Sequence, residues 1–418
     1  MVRRVFCCIT VLFLCISGEP VVLNGEMVPE LLGEPLGSIR VVRRDGRALP
    51  FQIDEVTEEG EYVLPQGEYP NSDEGSGYLK KRDEIVFLWD DTDRGGNTSP
   101  KIENAVEVSI RRAGEKREVF LLSDSQIPLS ERRYIEYEHD SGLLRTPFYY
   151  AQFAEERFHF TRAGVRDFET GTYIDLTNEL RVDILFRALW GLLPIRYTED
   201  NIICYVRRYK VGPVRLIRRG DFSLNLGLGV RGSRAAVNQI CYPSKVKVPV
   251  YVHVPFRFRS FFSHAHIEMT PVMNKDGEQF AFSVPSHDIR QEFGGEKDTL
   301  WEVIPDNTLF SVKKGDKGYG WLLQTTMDKS LLSGSGFVFR TPSEREGIGE
   351  SGYRLGVRNV RRGYYHITNW VIFSTGSAQS INKGHRALVE PAEIRNGKTG
   401  FQSRLNALDP IISIMQEE

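Results

Sequence analysis

Twelve Lys or Arg residues and a single acid, Asp221, stand between Asn201 and Ile267. Guanidinium groups grip carboxylate, sulfate or phosphate through paired hydrogen bonds, and aromatic rings set among them can stack on sugar faces. The stretch VPVYVHVPFRFRSFFSHAHIEM holds both residue types. On a strand, alternation sets Phe256 and Phe258 on one face and Arg257 and Arg259 on the other. With Arg218 and Arg219 from a neighbouring strand, and His264 and His266 at the same end, these arginines are the expected contacts for an anionic saccharide. The plainer reading of the same pattern is a half-buried strand with solvated arginines.

Other residues offer metal or redox chemistry. His264, His266 and Glu268 fall at i, i+2 and i+4, so on a strand all three point the same way. Two imidazoles and a carboxylate form a transition-metal donor set, which His253 or His287 would have to complete. The loop DDTDRGGNTSP offers Asp91, Asp93 and Asn97 around a glycine turn, oxygen ligands of the kind calcium takes. Gly95 replaces an oxygen that the EF-hand loop needs, and no Glu closes the loop, so the match is partial. No cofactor is expected, with calcium at this loop the alternative to a plain solvated acidic turn. Two G-x-G-x-x-G matches, GLGVRG and GIGESG, lack the acid and the helix of a dinucleotide site and read as turns. G-x-S-x-G and H-E-x-x-H are absent, which weakens serine-hydrolase and zincin chemistry.

The elements that must position these residues are strands. MVRR precedes the twelve-residue apolar run VFCCITVLFLCI and then SGEP, the pattern of a signal peptide over residues 1–18. That run is too short to span a bilayer, which takes about 20 apolar residues. Small residues Cys15, Ser17 and Gly18 place the mature start at Gly18 or Glu19, in a protein exported to the periplasm or beyond, with no transmembrane segment in the mature chain. Three of five cysteines leave with the signal, so Cys204 and Cys241 either form a disulfide or stay as buried thiols on separate strands. Short Val, Ile, Phe and Tyr runs, punctuated by pairs such as Asp45-Gly46 and Asn396-Gly397, predict an all-β chain. Asn178 to Leu193 and Ser233 to Ile240 are the best helix candidates, ambiguous against buried strands. The expected order is a small acidic β-sandwich over 19–126, then a large antiparallel β-sandwich over 131–398 that contains the basic segment 201–267. A C-terminal tail, 399–418, completes the chain.

Residues 19–130 carry thirteen basic and twenty-three acidic side chains, opposite in sign to the segment above. Such polarity draws an anionic ligand, or docks the basic segment on the acidic domain. The stretches DGRALPFQIDEV (45–56), RDEIVFLWDDT (82–92) and YKVGPVRLIRRGD (209–221) resemble those of secreted bacterial proteins with a small N-terminal β-domain before a large, galactose-mutarotase-like sandwich. The resemblance implies a supersandwich-like fold and carbohydrate-related roles, and it carries no catalytic residue across. Three functions follow. One is a carbohydrate-binding protein for an anionic polysaccharide or oligosaccharide. Another is a polysaccharide lyase or other sugar-processing enzyme, with Tyr251 or His253 abstracting a proton beside a uronate whose carboxylate Arg257 neutralises. The third is a non-catalytic envelope assembly component that self-associates through its charges. Export and a net charge of −2 argue against nucleic acid.

Overall fold

The computed structural model describes residues 18–94, 102–112, 114–154, 159–188, 190, 192–198, 202–225, 231–254, 262–274, 280–284, 289–292, 299–301, 309–314, 319–328, 331, 335–340, 348–356, 360–375, 392–397 and 402–405. Antiparallel strands in five sheets make up the fold, and the chain is all-β. Both helix candidates are strands, Glu179–Ala188 and Arg231–Cys241. Each has a hydrogen-bonded neighbour on both sides, which satisfies its backbone more fully than a short isolated helix could.

The small domain is a two-layer sandwich. In Val106–Arg112, Val106, Val108 and Ile110 are buried while the residues between them are half-buried, the alternation expected of a strand with one face in a core. They pack with Ile39, Val41, Val119 and Leu121 of their own sheet and with Leu23, Ile85 and Phe87 of the three-stranded sheet opposite. The chain returns to this domain at its far end. Ala392–Asn396 pairs with Val106–Arg112, placing Ile394 opposite Ile110 and wholly out of solvent, and Gln402–Leu405 pairs beyond it. The expected boundary at 398 is therefore corrected: residues 392–405 complete the first sandwich, through pairing that local sequence does not display.

The large domain is built on a ten-stranded sheet. Across its middle run Tyr319–Met327, Gly363–Thr375, Lys245–Val254, Arg231–Cys241, Leu216–Asn225 and Ile202–Val211, with Gln66–Gly67 of the small domain as an edge strand. One face of this sheet is covered by the two other sheets of the domain. Val254, Trp321 and Ile367 meet Ala265, Tyr353 and Leu355 there, and Leu216, Cys241 and Val246 meet Leu144, Tyr149 and Phe153. The opposite face is covered at one end by the small domain, where Ile217, Ile240, Leu322 and Trp370 pack on Val56, Leu64, Val86 and Leu88. Two-residue steps from Trp370 through Thr368 lead along that same face to His366 and Tyr364. No helix among the described residues is long and apolar enough to cross a membrane.

Candidate functional site

Arg215 is wholly buried at the junction of the two domains. Its Nε donates to Asp54 Oδ2 at 2.8 Å and its Nη1 to the Tyr242 hydroxyl at 3.0 Å, while Nη2 reaches both Asp54 and Glu84. Lys210 Nζ lies 2.9 Å from the other Asp54 oxygen. Gln52 Nε2 donates to Asp54, and its Oε1 accepts from the backbone N–H groups of Val214 and Arg215. The backbone comes this close because residue 212 is glycine: a Cβ there would meet Gln52 Oε1 at 2.0 Å. Burial pushes the Asp54 carboxyl upward, but the Arg215 and Lys210 charges outweigh it and hold the group below its ordinary value. DGRALPFQIDEV supplies Gln52 and Asp54, RDEIVFLWDDT supplies Glu84, and YKVGPVRLIRRGD supplies Lys210, Gly212 and Arg215. The three stretches that carry the family resemblance meet at a domain junction.

The pairing extends outward from this cluster. Arg219 and Arg208 both grip Glu61, Arg207 lies 3.0 Å from Glu68, and Lys245 is bonded to the buried Glu19. Among the described residues, six of the twelve basic residues of segment 201–267 are thus seen paired with acids of residues 19–84. Of the alternatives that the charge pattern raised, the structure holds intramolecular docking.

Of the expected ligand contacts, Arg218 and Arg219 do not converge. Arg218 and Arg219 are adjacent on one strand and point to opposite faces of the sheet. Arg218 is 2% exposed, with its guanidinium 3.7 Å from the Phe153 ring centre and Nη1 donating to Gln239. Arg219 is committed to Glu61 and Asn238. Neither is offered to a ligand from solvent, which corrects that expectation. Arg257, Arg259, Asn97 and His287 lie outside the described residues, as does the side chain of His264, whose backbone stands opposite Arg187. His266 Nε2 is 3.8 Å from Glu268, and the Glu268 carboxylate is held by Arg354. Among the described residues no group of three His, Cys, Asp or Glu side chains is placed to hold a metal. Asp91 accepts from the Tyr134 hydroxyl at 2.7 and 2.8 Å, and Asp93 accepts from the Arg44 backbone N–H at 2.6 Å. Both carboxylates proposed for calcium therefore serve donors of the protein itself. Cys241 is a free, buried thiol pushed up to about 12 by its burial. Cys204 stands opposite Phe222 and Cys241 opposite Leu216, so the two are offset by roughly 20 Å along the strands, too far for the disulfide that was one of the two alternatives.

A different constellation occupies the open end of the ten-stranded sheet. Tyr251 and His253 share a face of Lys245–Val254, and the register sets them opposite His366 and Tyr364 of Gly363–Thr375. Each cross-strand pair brings its rings together. His253 and Tyr364 stack at 4.6 Å and 23°, and Tyr251 and His366 lie 4.8 Å apart at 34°. Tyr364 is 58% exposed and His253 is exposed, whereas Tyr251 and His366 are half-buried deeper on the face. Burial pushes the His366 imidazole below its ordinary value, helped by Lys247 and opposed by Asp328. Burial also pushes the Tyr251 hydroxyl up, with Arg219 opposing. Thr368 Oγ1 lies 3.2 Å from His366 Nε2, and the His366 backbone N–H donates to exposed Asp328. Arg361 and Arg362, both exposed, immediately precede the strand. The sharing of a face by Tyr251 and His253 was readable from alternation. Tyr364 and His366 were missed, although Arg-Arg-Gly-Tyr-Tyr-His repeats the same mixture of cation, ring and imidazole at period two.

No protein-family model and no curated protein matches the chain. Solved structures with a similar arrangement include an alpha-mannosidase from Enterococcus faecalis, at 7% identity and a TM-score of 0.44 over 92% of this chain and 45% of the mannosidase chain. A heparinase III is similar at 8% identity and a TM-score of 0.30, over 66% of this chain and 42% of the other. The Slr1438 protein from Synechocystis is similar at 9% identity and a TM-score of 0.29, over 59% and 98%. This chain spans less than half the length of the mannosidase. None of these likenesses is close enough to carry chemistry across.

Proposed function

We propose that this is an exported carbohydrate-binding protein, that its large domain is a galactose-mutarotase-like supersandwich, and that the Tyr251, His253, Tyr364 and His366 strip holds an acidic saccharide. The observation that carries the reading is the double cross-strand ring pair, with His253 and Tyr364 exposed, next to exposed Arg361 and Arg362. An aromatic face offers a flat apolar surface with a polar rim, suited to the C–H face of a sugar ring. The arginines supply the donors for carboxylate or sulfate. A binding role fits better than a lyase role. Of the two bases that reading offers, Tyr251 is harder to ionise than a free tyrosine, so less of it stands as the phenolate that proton abstraction needs, and the His253 ring is stacked on Tyr364. An assembly role built on opposed charges has less to draw on, because half of the basic segment is paired within one copy.

Calorimetric titration with uronate, sulfated and neutral oligosaccharides tests the reading. The expected result is binding of the acidic sugars that weakens with salt, and a loss of about tenfold in affinity for Tyr364→Ala, near the upper range for one aromatic contact. No binding of any sugar overturns it. Appearance of an unsaturated product would replace it with the lyase reading.

A further inference from the structure

The small domain is tightly built from its first described residue. Gly18 is buried, its backbone N–H donates to Asp90 Oδ2 at 3.1 Å, and its carbonyl accepts from the Ser244 hydroxyl at 3.0 Å. Gly18 has φ +60°, a left-handed conformation that favours glycine, and a Cβ would lie 2.5 Å from Phe148 Cε2. Glu19 follows with its carboxylate against Lys245 and Arg112 and its carbonyl accepting from Trp89 N–H. Pro20 then opens the first strand, opposite Leu88.

The sequence allows a leader peptidase two cuts, before Gly18 or before Glu19. Cutting before Glu19 would delete both of these hydrogen bonds of Gly18 and would put Ile16 at the third position before the cut, where such peptidases take small residues. Cutting before Gly18 puts Ser17 and Cys15 at the first and third positions, both small. From this geometry we infer that the chain is processed between Ser17 and Gly18, and that the new α-ammonium of Gly18 forms an ion pair with Asp90. The step is a hydrolysis. Water adds across the Ser17–Gly18 peptide bond, leaving a carboxylate on Ser17 and an amine on Gly18 that is protonated at neutral pH. A bond in which only the carboxylate is charged thereby becomes one between two opposite charges, so removal of the leader tightens the seam between residues 18–20 and the Ser244 turn.

The test expresses the full chain in an exporting bacterial host and determines the N-terminus by mass spectrometry, beside a Ser17→Leu variant designed to block the cut. The expected terminus is Gly18. A folded α-amine whose pKa is raised by Asp90 contributes stability that is fully present below its unfolded value, about 7.7–8.0. That stability is lost as pH rises through the folded value. The processed protein should therefore lose unfolding midpoint as pH rises above about 8 in excess of its Asp90→Asn variant, and the unprocessed Ser17→Leu protein should show no such excess. A terminus other than Gly18 overturns the inference. So does a processed protein whose alkaline loss is the same with and without Asp90.

Discussion

One face of the ten-stranded sheet ends in two different ways. At the covered end, Arg215, Lys210, Asp54 and Glu84 interlock and Asp54 and Arg215 are sealed from solvent. At the open end, His253 and Tyr364 present stacked rings to solvent and two arginines stand beside them. Both ends mix cations with aromatic rings, yet of the two only the second exposes its rings to solvent. Field strength follows from composition, whereas availability follows from what already faces each charge. A buried ion pair is weak evidence of net stability, because desolvation offsets most of the attraction, but removing one partner strands the other. The covered end therefore fixes how the two sandwiches dock, while the rings of His253 and Tyr364 at the other end stay exposed.

The largest effect should come from breaking the covered end. Arg215→Met strands Asp54 without its main counter-charge and should cost about 3–5 kcal/mol, read as a fall in the urea midpoint at unchanged slope. Next in size is Gly212→Ala, whose Cβ would displace the Gln52 amide from its bonds to Val214 and Arg215. Overpacking of this kind costs about 1–3 kcal/mol, and an unchanged midpoint would show that the approach is not tight. A third effect is set by pH. The Asp54 carboxyl is held below its ordinary value, so the stability it contributes is present above the unfolded value, about 3.9, and is lost as pH falls through the lower, folded one. Acid titration of the unfolding midpoint should show that loss, and Asp54→Asn should flatten it. The smallest effect sharpens the contrast from the other side. Tyr364→Ala should change stability by no more than about 0.5 kcal/mol, as an exposed substitution does, while weakening sugar binding. A large loss of stability would place Tyr364 with the structural residues.

Much of this was legible in the chain. Turn pairs and alternation gave the all-β class, and opposed charge in residues 19–130 and 201–267 raised the docking that Arg215 and Asp54 carry out. Alternation also argues against grouping Arg218 with Arg219, since neighbours on a strand face opposite ways. The return of Ala392–Asn396 to pair with Val106–Arg112 was not legible, because that contact joins segments nearly three hundred residues apart. The open strip was half legible for the same reason. Tyr251 and His253 share a face by spacing, but only the register with Gly363–Thr375 brings Tyr364 and His366 onto them.

The most direct test of the docking account is a double-mutant cycle on Asp54 and Arg215, using Asp54→Asn and Arg215→Met singly and together in urea unfolding. Direct contact through a sealed ion pair predicts a coupling of at least about 1.5 kcal/mol, with the double variant less destabilised than the sum of the two single variants. Additive losses, within about 0.5 kcal/mol, would mean that the two side chains do not act on each other and would contradict the account.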